Sequence, residues 1–303
     1  MEFIDKYMED CILCNRKCHA DRSRGHRGYC GMTGELYVSR AALHMWEEPC
    51  ISGENGSGTV FFSGCSLRCV FCQNHDIAVG NYGKPITVER LAEIFLELQD
   101  KKAHNINLVT PTHYVPHIIQ AVEMARRKNF RIPIVYNTGT YDTIETIKML
   151  EGYVDIYMPD MKYMDSAIAG KYSNAGDYFK NAKEVLKEMV AQTGPPQFDK
   201  CGMMNKGVLV RHLLLPGYEK DSKNILEYLH SEYGDDIYIS IMNQYTPMKS
   251  LEGYEEINRK ITEKEYDRVV DYAIDIGIEN GFIQEGDTAA ESFIPDFVSC
   301  EGV

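Results

Sequence analysis

Residues 59–72, TVFFSGCSLRCVFC, decide the organisation of this chain. The first part, TVFFSG (59–64), is a short β-branched and aromatic run that predicts a buried strand. The second part, CSLRCVFC (65–72), carries Cys65, Cys69 and Cys72 and follows the strand directly. Functional side chains of parallel α/β folds lie at the carboxyl ends of the strands. We therefore expect these cysteines at the functional edge of a sheet.

Five more short apolar runs follow this strand, and helical patterns separate them. The runs are NINLVT (105–110), IPIVYNTG (132–139), VDIYMPD (154–160), GVLVRHLLLPG (207–217) and IYISIMNQ (237–244). Intervening segments such as 88–102 and 114–128 carry apolar residues three or four positions apart, as amphipathic helices do. This alternation predicts βαβ units and a parallel sheet.

The placement of the polar and cysteine motifs favours an α/β fold with a partial (β/α)6-type TIM barrel. The motifs follow five of the six strands, and in a barrel such ends meet at one mouth. A doubly wound sheet would need a glycine-rich turn after its first strand, whereas GSGTVFF (56–62) has its glycines before it. We expect residues 55–303 to form the barrel and residues 1–54 to form a small N-terminal cysteine-rich module, with a hinge at SGENGSG (52–58).

Composition limits the classes of function. The 303 residues include 32 Lys and Arg against 45 Asp and Glu, and the net charge of −13 argues against a sequence-independent nucleic-acid binder. No apolar run reaches the roughly 18 residues of a membrane span, and the acidic start is unlike a signal peptide, so no membrane partner is expected. We expect a cytoplasmic protein, in which ten cysteines favour metal or redox chemistry over disulfides.

The three cysteines after the first strand have the spacing C-x3-C-x2-C. Three thiolates can bind three irons of a [4Fe–4S] cluster and leave the fourth iron open for a ligand that is not protein. The alternative is a structural zinc site with His75 as the fourth ligand. Zinc sites normally use paired C-x2-C hooks, and zinc would leave the motifs at the other strand ends unexplained. The cluster is therefore the favoured hypothesis.

This loop resembles the defining motif of the radical S-adenosylmethionine (SAM) superfamily, and later motifs are similar to those of its pyruvate formate-lyase activating enzyme-like branch. The resemblance implies that a [4Fe–4S] cluster on Cys65, Cys69 and Cys72 cleaves SAM reductively to a 5′-deoxyadenosyl radical, which then abstracts hydrogen. It implies a flavodoxin or ferredoxin as electron donor. It also implies SAM contacts from four residues: the adenine on Phe71, the ribose and aminoacid portion on Asp160 and Lys162, and the carboxylate on Arg211.

One motif departs from that branch, which usually has a Gly-Gly-Glu turn after the second strand to hold the SAM amino group. This chain has VTPTHY instead, so Thr110 and Thr112 become candidates for that contact. Asn137 and Asn243 follow strands and could bond the ribose or adenine, although each could equally be a turn-forming asparagine. Together with the N-terminal cysteines, VTPTH, MNQYTP (242–247) and QEGDTAAESFIPDF (284–297) are similar to a less-studied sister group.

A second cysteine group lies near the N-terminus, with the spacing C-x2-C-x3-C-x11-C. It consists of Cys11, Cys14, Cys18 and Cys30. Four thiolates suit a closed structural zinc site or an auxiliary iron–sulfur cluster. The C-x2-C hook and the thin core of the module favour zinc slightly.

Three hypotheses for function follow. The first is a radical SAM enzyme acting on a protein, for example on a glycine as in the glycyl-radical activating enzymes. The second is a radical SAM enzyme acting on a small molecule. The third is a non-catalytic iron–sulfur or zinc protein, against which Asp160, Lys162 and Arg211 argue because such a protein has no use for a SAM contact.

Overall fold

A computed structural model of the chain describes residues 2–80, 82–247, 251–284 and 295–303. Most of the motif at 284–297 lies outside these residues. In the described parts the strands are β1 (Leu36–His44), β2 (Ser57–Phe62), β3 (Lys84–Ile86), β4 (Ile106–Val109), β5 (Ile134–Thr138), β6 (Ile156–Pro159), β7 (Gln197–Phe198), β8 (Met204–Leu213), β9 (Tyr238–Met242) and β10 (Gly281–Ile283). The helices are α1 (Glu2–Glu9), α2 (Pro49–Ser52), α3 (His75–Ala78), α4 (Val88–Asp100), α5 (Val115–Arg127), α6 (Ile144–Lys148), α7 (Ser166–Ser173), α8 (Tyr178–Thr193), α9 (Glu219–Tyr233) and α10 (Glu263–Asp275).

The strands form one open and mostly parallel sheet, in agreement with the predicted α/β class and partial barrel. Their order is β10-β9-β8-β6-β5-β4-β2-β1-β3, with β7 attached to β8. Every neighbouring pair from β2 to β10 along this order is parallel. The six predicted strands correspond to β2, β4, β5, β6, β8 and β9. The two outer parallel partners, β2 and β10, do not pair with each other.

Helices between the strands bury one face each against the sheet. In α4 the buried residues include Leu91, Phe95 and Leu98, which are three or four positions apart as predicted. Thr87 caps α4 by accepting a hydrogen bond from the backbone of Arg90. No helix in the described parts of the chain combines the length and apolar character that a membrane span requires.

The strand β1 was not predicted, and it brings the N-terminal region into the sheet. It pairs antiparallel with β2, from Val38 opposite Phe62 to His44 opposite Ser57. Ser39 and Arg40 interrupt its apolar run, which weakens the strand pattern in the sequence. The boundary between residues 54 and 55 stays a prediction, but β1 itself is a strand of the barrel sheet.

Residues 45–52, here called the floor segment, lie across the amino-terminal ends of the parallel strands. The backbone oxygen of Ile51 accepts a hydrogen bond of 2.8 Å from Asn105, the residue before β4. Gly53, just after the segment, lies close to the side chains of His104 and Met203. Cys50 and Ile51 pack against inward-facing residues of the sheet, which are Val135, Ile156, Met158, Met204 and Leu209. The floor segment therefore closes one end of the barrel interior.

Ile51 tests how far the barrel depends on this segment, because its side chain is completely buried. We expect Ile51→Ala to lower the free energy of unfolding by about 2–5 kcal/mol, since it removes core contacts and leaves a cavity. Urea unfolding of the purified chain measures this free energy of unfolding. Ile274→Ala is the control, because that side chain is 63% exposed and its loss should change stability by less than about 0.5 kcal/mol. Equal stability of both variants would contradict the role of the floor segment.

Candidate active site

A cavity of about 360 Å³ opens at the carboxyl ends of the parallel strands. It brings together motifs that are far apart in the sequence. From the predicted site it is lined by Cys69, Phe71, Cys72, Asn137, Asp160, Lys162 and Arg211, and from the floor segment by Trp46, Glu47, Glu48 and Pro49. Cys65 lies beside the cavity in the same loop as Cys69 and Cys72 and packs against the main core.

The cysteine loop forms a compact turn around Cys69. The backbone N–H of Cys72 donates to the oxygen of Cys69 at 3.1 Å, and the hydroxyl of Ser173 donates to Cys69 Sγ at 2.9 Å. Burial raises the pKa of the Cys65 and Cys72 thiols, and their neighbouring thiols raise it further. Thiols that are buried and raise one another's pKa are difficult to ionise unless a cation compensates the negative charge. A metal centre provides that cation and binds the cysteines as thiolates. The donor set therefore fits an iron–sulfur cluster.

A network of ion pairs connects three strand ends with the floor segment. Asp160 accepts from Lys162 Nζ at 2.7 Å and from Arg211 Nε at 3.0 Å. Arg211 also donates to Asn137 Oδ1 at 2.7 Å and to Glu47 Oε2 at 3.2 Å. The structure thus brings together Asp160, Lys162 and Arg211, as their positions after successive strands predict.

The charges in this network support one another. Burial alone would raise the pKa of Asp160, but Lys162 and Arg211 outweigh it and lower that pKa. Burial opposes the charged form of Lys162 as well, yet Asp160 and the nearby Cys69 raise its pKa. Asp160 is therefore ionised at neutral pH, and both cations remain protonated.

Glu47 and Glu48 are the site residues that sequence reasoning missed. Both lie at the closed end of the cavity, and burial raises the pKa of each carboxyl while Arg211 opposes that rise. Asn107 donates to Glu47 Oε1 at 2.9 Å. The signal in the sequence is the acidic pair in WEEPC (46–50), between an aromatic residue and a proline. Only the pairing of β1 with β2 brings that pair under the strand ends.

Phe71 has a largely aromatic environment beside the cavity. Its ring centroid lies 5.9 Å from that of Tyr245, 6.3 Å from that of Tyr172 and 6.4 Å from that of Tyr163. Its side chain is almost fully buried. Such packing fixes the ring in one orientation at the cavity wall.

The structure does not bring Thr110, Thr112 or Asn243 to the cavity wall. Thr110 has a left-handed backbone with φ of 57°, and its N–H donates to the oxygen of Asn137. The Thr112 hydroxyl instead lowers the pKa of the buried Asp142 by hydrogen bonding. The backbone and side chain of Asn243 bond to Gln284. Thr112 is buried in the protein interior, away from the cavity wall.

The N-terminal cysteines converge near Gly28. A Cβ atom on Gly28 would lie 3.4 Å from both Cys18 Sγ and Cys30 Sγ. The thiols of Cys11, Cys18 and Cys30 each raise the pKa of Cys14, after burial as the main cause. Within the described residues, no group of three or more His, Cys, Asp or Glu side chains is already arranged as a metal site. The structure therefore shows proximity of these thiols and no more.

Comparison with known families decides the class of protein. The sequence profile of the Radical SAM superfamily matches residues 59–229, which run from within β2 into α9 and contain the cysteine loop, Asp160, Lys162 and Arg211. This is more than half of the chain. The chain belongs to the radical SAM superfamily. A [4Fe–4S] cluster and SAM are the cofactors that the family implies.

Several proteins resemble this radical SAM chain. An uncharacterised protein of Methanocaldococcus jannaschii is 28% identical over 283 residues, covering 90% of this chain and 77% of that protein. Methylornithine synthase has a TM-score of 0.52 at 16% identity, covering 89% of this chain and 68% of its own. Streptococcus suis SuiB bound to SAM has a TM-score of 0.49 at 14% identity over 74% of this chain, which spans about half (48%) of SuiB.

A domain of pyruvate-formate lyase-activating enzyme from Bacteroides vulgatus is also similar to this radical SAM chain. Its TM-score is 0.40 at 13% identity, covering 56% of this chain and 93% of that domain. At 16% identity, the likeness to methylornithine synthase informs on the fold alone. The superfamily assignment itself rests on the match to residues 59–229.

Proposed function

We propose that this chain is a radical SAM enzyme that uses the 5′-deoxyadenosyl radical from SAM to take a hydrogen atom from a second molecule. When bound, the cluster supplies the electron that breaks the sulfonium carbon–sulfur bond. The observation that carries the proposal is the single cavity shared by the cysteine loop, Asp160, Lys162 and Arg211. An external reductant of the flavodoxin or ferredoxin class would deliver the electron.

Cys65, Cys69 and Cys72 would hold the cluster, and bound iron would take them as thiolates. Burial raises the pKa of the Cys65 and Cys72 thiols, and Lys162 opposes part of that rise. The hydrogen bond from Ser173 stabilises negative charge on Cys69. Lys162 thereby serves the cysteine loop as well as its ion pair with Asp160.

Arg211 is the residue that we propose for the SAM carboxylate. A guanidinium has five N–H donors, and the contacts to Asp160, Glu47 and Asn137 use three of them, one on each nitrogen. One donor remains on each terminal nitrogen, which is the pair that a planar carboxylate can accept together. The three contacts therefore orient the guanidinium and leave one donor on each terminal nitrogen for a ligand carboxylate.

Phe71 and Asn137 complete the proposed SAM site. The Phe71 ring at the cavity wall would stack on or flank the adenine, and Asn137 would approach the ribose beside Arg211. We assign no SAM contact to Thr110, Thr112 or the side chain of Asn243, because they do not line the cavity. Asp160 would orient Lys162 and Arg211 toward the aminoacid portion of SAM.

For the molecule that gives up the hydrogen atom, we propose only its chemical class. The likeness of the cysteine loop and strand-end motifs to activating enzymes favours a glycine of a partner protein. A small-molecule donor is the second candidate, favoured by the floor segment, which closes the cavity at one end and limits its volume to about 360 Å³. Product analysis separates the two, because only the first leaves a radical on a polypeptide.

We also propose that Cys11, Cys14, Cys18 and Cys30 bind zinc or an auxiliary iron–sulfur cluster. The nearby guanidinium of Arg22 supports this, because it is 1% exposed and its described hydrogen bonds go to Thr33, His113 and Cys11 Sγ, none of them a carboxylate. A buried guanidinium cannot lose its proton and needs a negative counter-charge. Metal-bound thiolates would provide it, whereas four neutral thiols would not.

Cys69→Ala tests the function at its centre. Anaerobic reconstitution with iron and sulfide, followed by an assay of 5′-deoxyadenosine from SAM and dithionite, should show cleavage by the natural chain. Cys69→Ala should lose both cleavage and the barrel cluster's spectrum, because two thiolates retain a cubane poorly. Cys201→Ala, at an exposed position, is the control and should behave as the natural chain does. A normal cluster signal in Cys69→Ala would refute the assignment.

Arg211→Ala should weaken SAM binding by about one to two orders of magnitude, because a two-pronged charge-assisted contact is lost. Arg211→Lys should recover part of this, since an ammonium keeps the charge but lacks the fork. Calorimetric SAM titration and thermal unfolding are measured on the same cluster-loaded samples. Unchanged affinity per folded molecule, with only a lower melting temperature, would show that Arg211 serves the barrel wall instead.

Cys14→Ala tests the N-terminal metal site separately. The variant should lose zinc, or the iron of one cluster, in elemental analysis and should unfold at lower urea concentration, because metal binding stabilises a small module. The barrel cluster should still assemble and cleave SAM. Metal content equal to that of the natural chain would contradict the site, and complete loss of SAM cleavage in a folded variant would show that the site is redox-active.

A further inference from the structure

The closed end of the cavity carries a carboxyl oxygen without a partner. Among the described residues, Glu48 Oε2 and Ser240 Oγ are both buried and neither has a hydrogen-bond partner. Glu48 is 7% exposed and Ser240 is 1% exposed, and both line the cavity. The Ser240 hydroxyl acts as a donor that lowers the pKa of the Glu48 carboxyl, but the two groups fall short of hydrogen-bond geometry. Buried acceptors of this kind are costly unless a donor satisfies them.

Glu48 is a third carboxyl of the cavity, and within the described residues it forms no ion pair. Asp160 lies between Lys162 and Arg211, and the other ion pair of Arg211 is with Glu47. These pairs match the two cations with Asp160 and Glu47. Burial raises the pKa of Glu48, and Arg211 opposes that rise from beyond ion-pair distance.

We propose that Glu48, assisted by Ser240, binds an ammonium group of the molecule that donates hydrogen. An ammonium carries three N–H donors, which match the unpartnered carboxyl oxygen and the hydroxyl, and its positive charge would stabilise the ionised form of Glu48 against burial. The substrate class is therefore an amine, either a small molecule or a lysine side chain or amino terminus of a polypeptide. The role of this amine as hydrogen donor rests on the proposed function.

The experiment titrates butylammonium chloride into the cluster-loaded full chain by calorimetry, with and without SAM. Butanol serves as the neutral probe of matched shape. The natural chain should bind butylammonium, and Glu48→Gln should weaken that binding about tenfold or more, because it removes a charge-assisted hydrogen bond. Ser240→Ala should weaken it several-fold, and Glu54→Gln, an exposed acid just beyond the floor segment, should not change it.

The outcomes separate the possible occupants. Equal butylammonium affinity in the natural chain and Glu48→Gln, or equal binding of butanol, would overturn the proposal. A tenfold loss of SAM affinity in Glu48→Gln with unchanged butylammonium binding would overturn it too, because Glu48 would then hold the amino group of SAM. Displacement by equimolar potassium chloride would show an inorganic cation site instead. If Glu48→Gln loses butylammonium binding but the natural chain produces no 5′-deoxyadenosine, the amine site is confirmed and the proposed function is refuted.

Discussion

The largely buried guanidinium of Arg211 is the constraint on which the arrangement of the cavity depends. It cannot lose its proton, so the fold must surround it with acceptors. Asp160 after β6, Asn137 in β5 and Glu47 in the floor segment provide them. Because these groups come from separate parts of the chain, the guanidinium connects two strand ends to a segment that precedes the parallel strands in sequence. Removing any partner would leave a buried charge less well compensated.

The N-terminal region and the barrel form one continuous scaffold. β1 pairs with β2, and the floor segment that follows β1 returns under the parallel strands. Near the other cysteine group, Arg16 donates to the backbone oxygens of Ser66 at 2.8 Å and Ser173 at 2.7 Å. Ser173 in turn bonds Cys69 Sγ. Arg16 and Ser173 thus connect the proposed N-terminal metal site to the cysteine loop.

Much of the barrel could be predicted because its signals are local. The six runs of apolar residues became strands at nearly their predicted positions, and the three-residue or four-residue spacing of apolar positions became the buried faces of helices such as α4. Asp160, Lys162, Arg211 and Asn137 could be assigned to one site because parallel strands place their carboxyl ends together. β10 escaped prediction since its three residues, Gly281–Ile283, are too few for a periodic signal.

The sequence by itself determined the class of protein and the position of the proposed cluster-binding loop, because the spacing of Cys65, Cys69 and Cys72 is a local property of eight consecutive residues. Only the tertiary structure decided which other side chains reach the cavity. It excluded Thr110 and Thr112 from the cavity wall, and it placed Glu47 and Glu48 opposite Arg211 through the pairing of β1 with β2. The physical reason is that long-range strand pairing and the need to compensate buried charge act between residues whose separation in the chain carries no pattern.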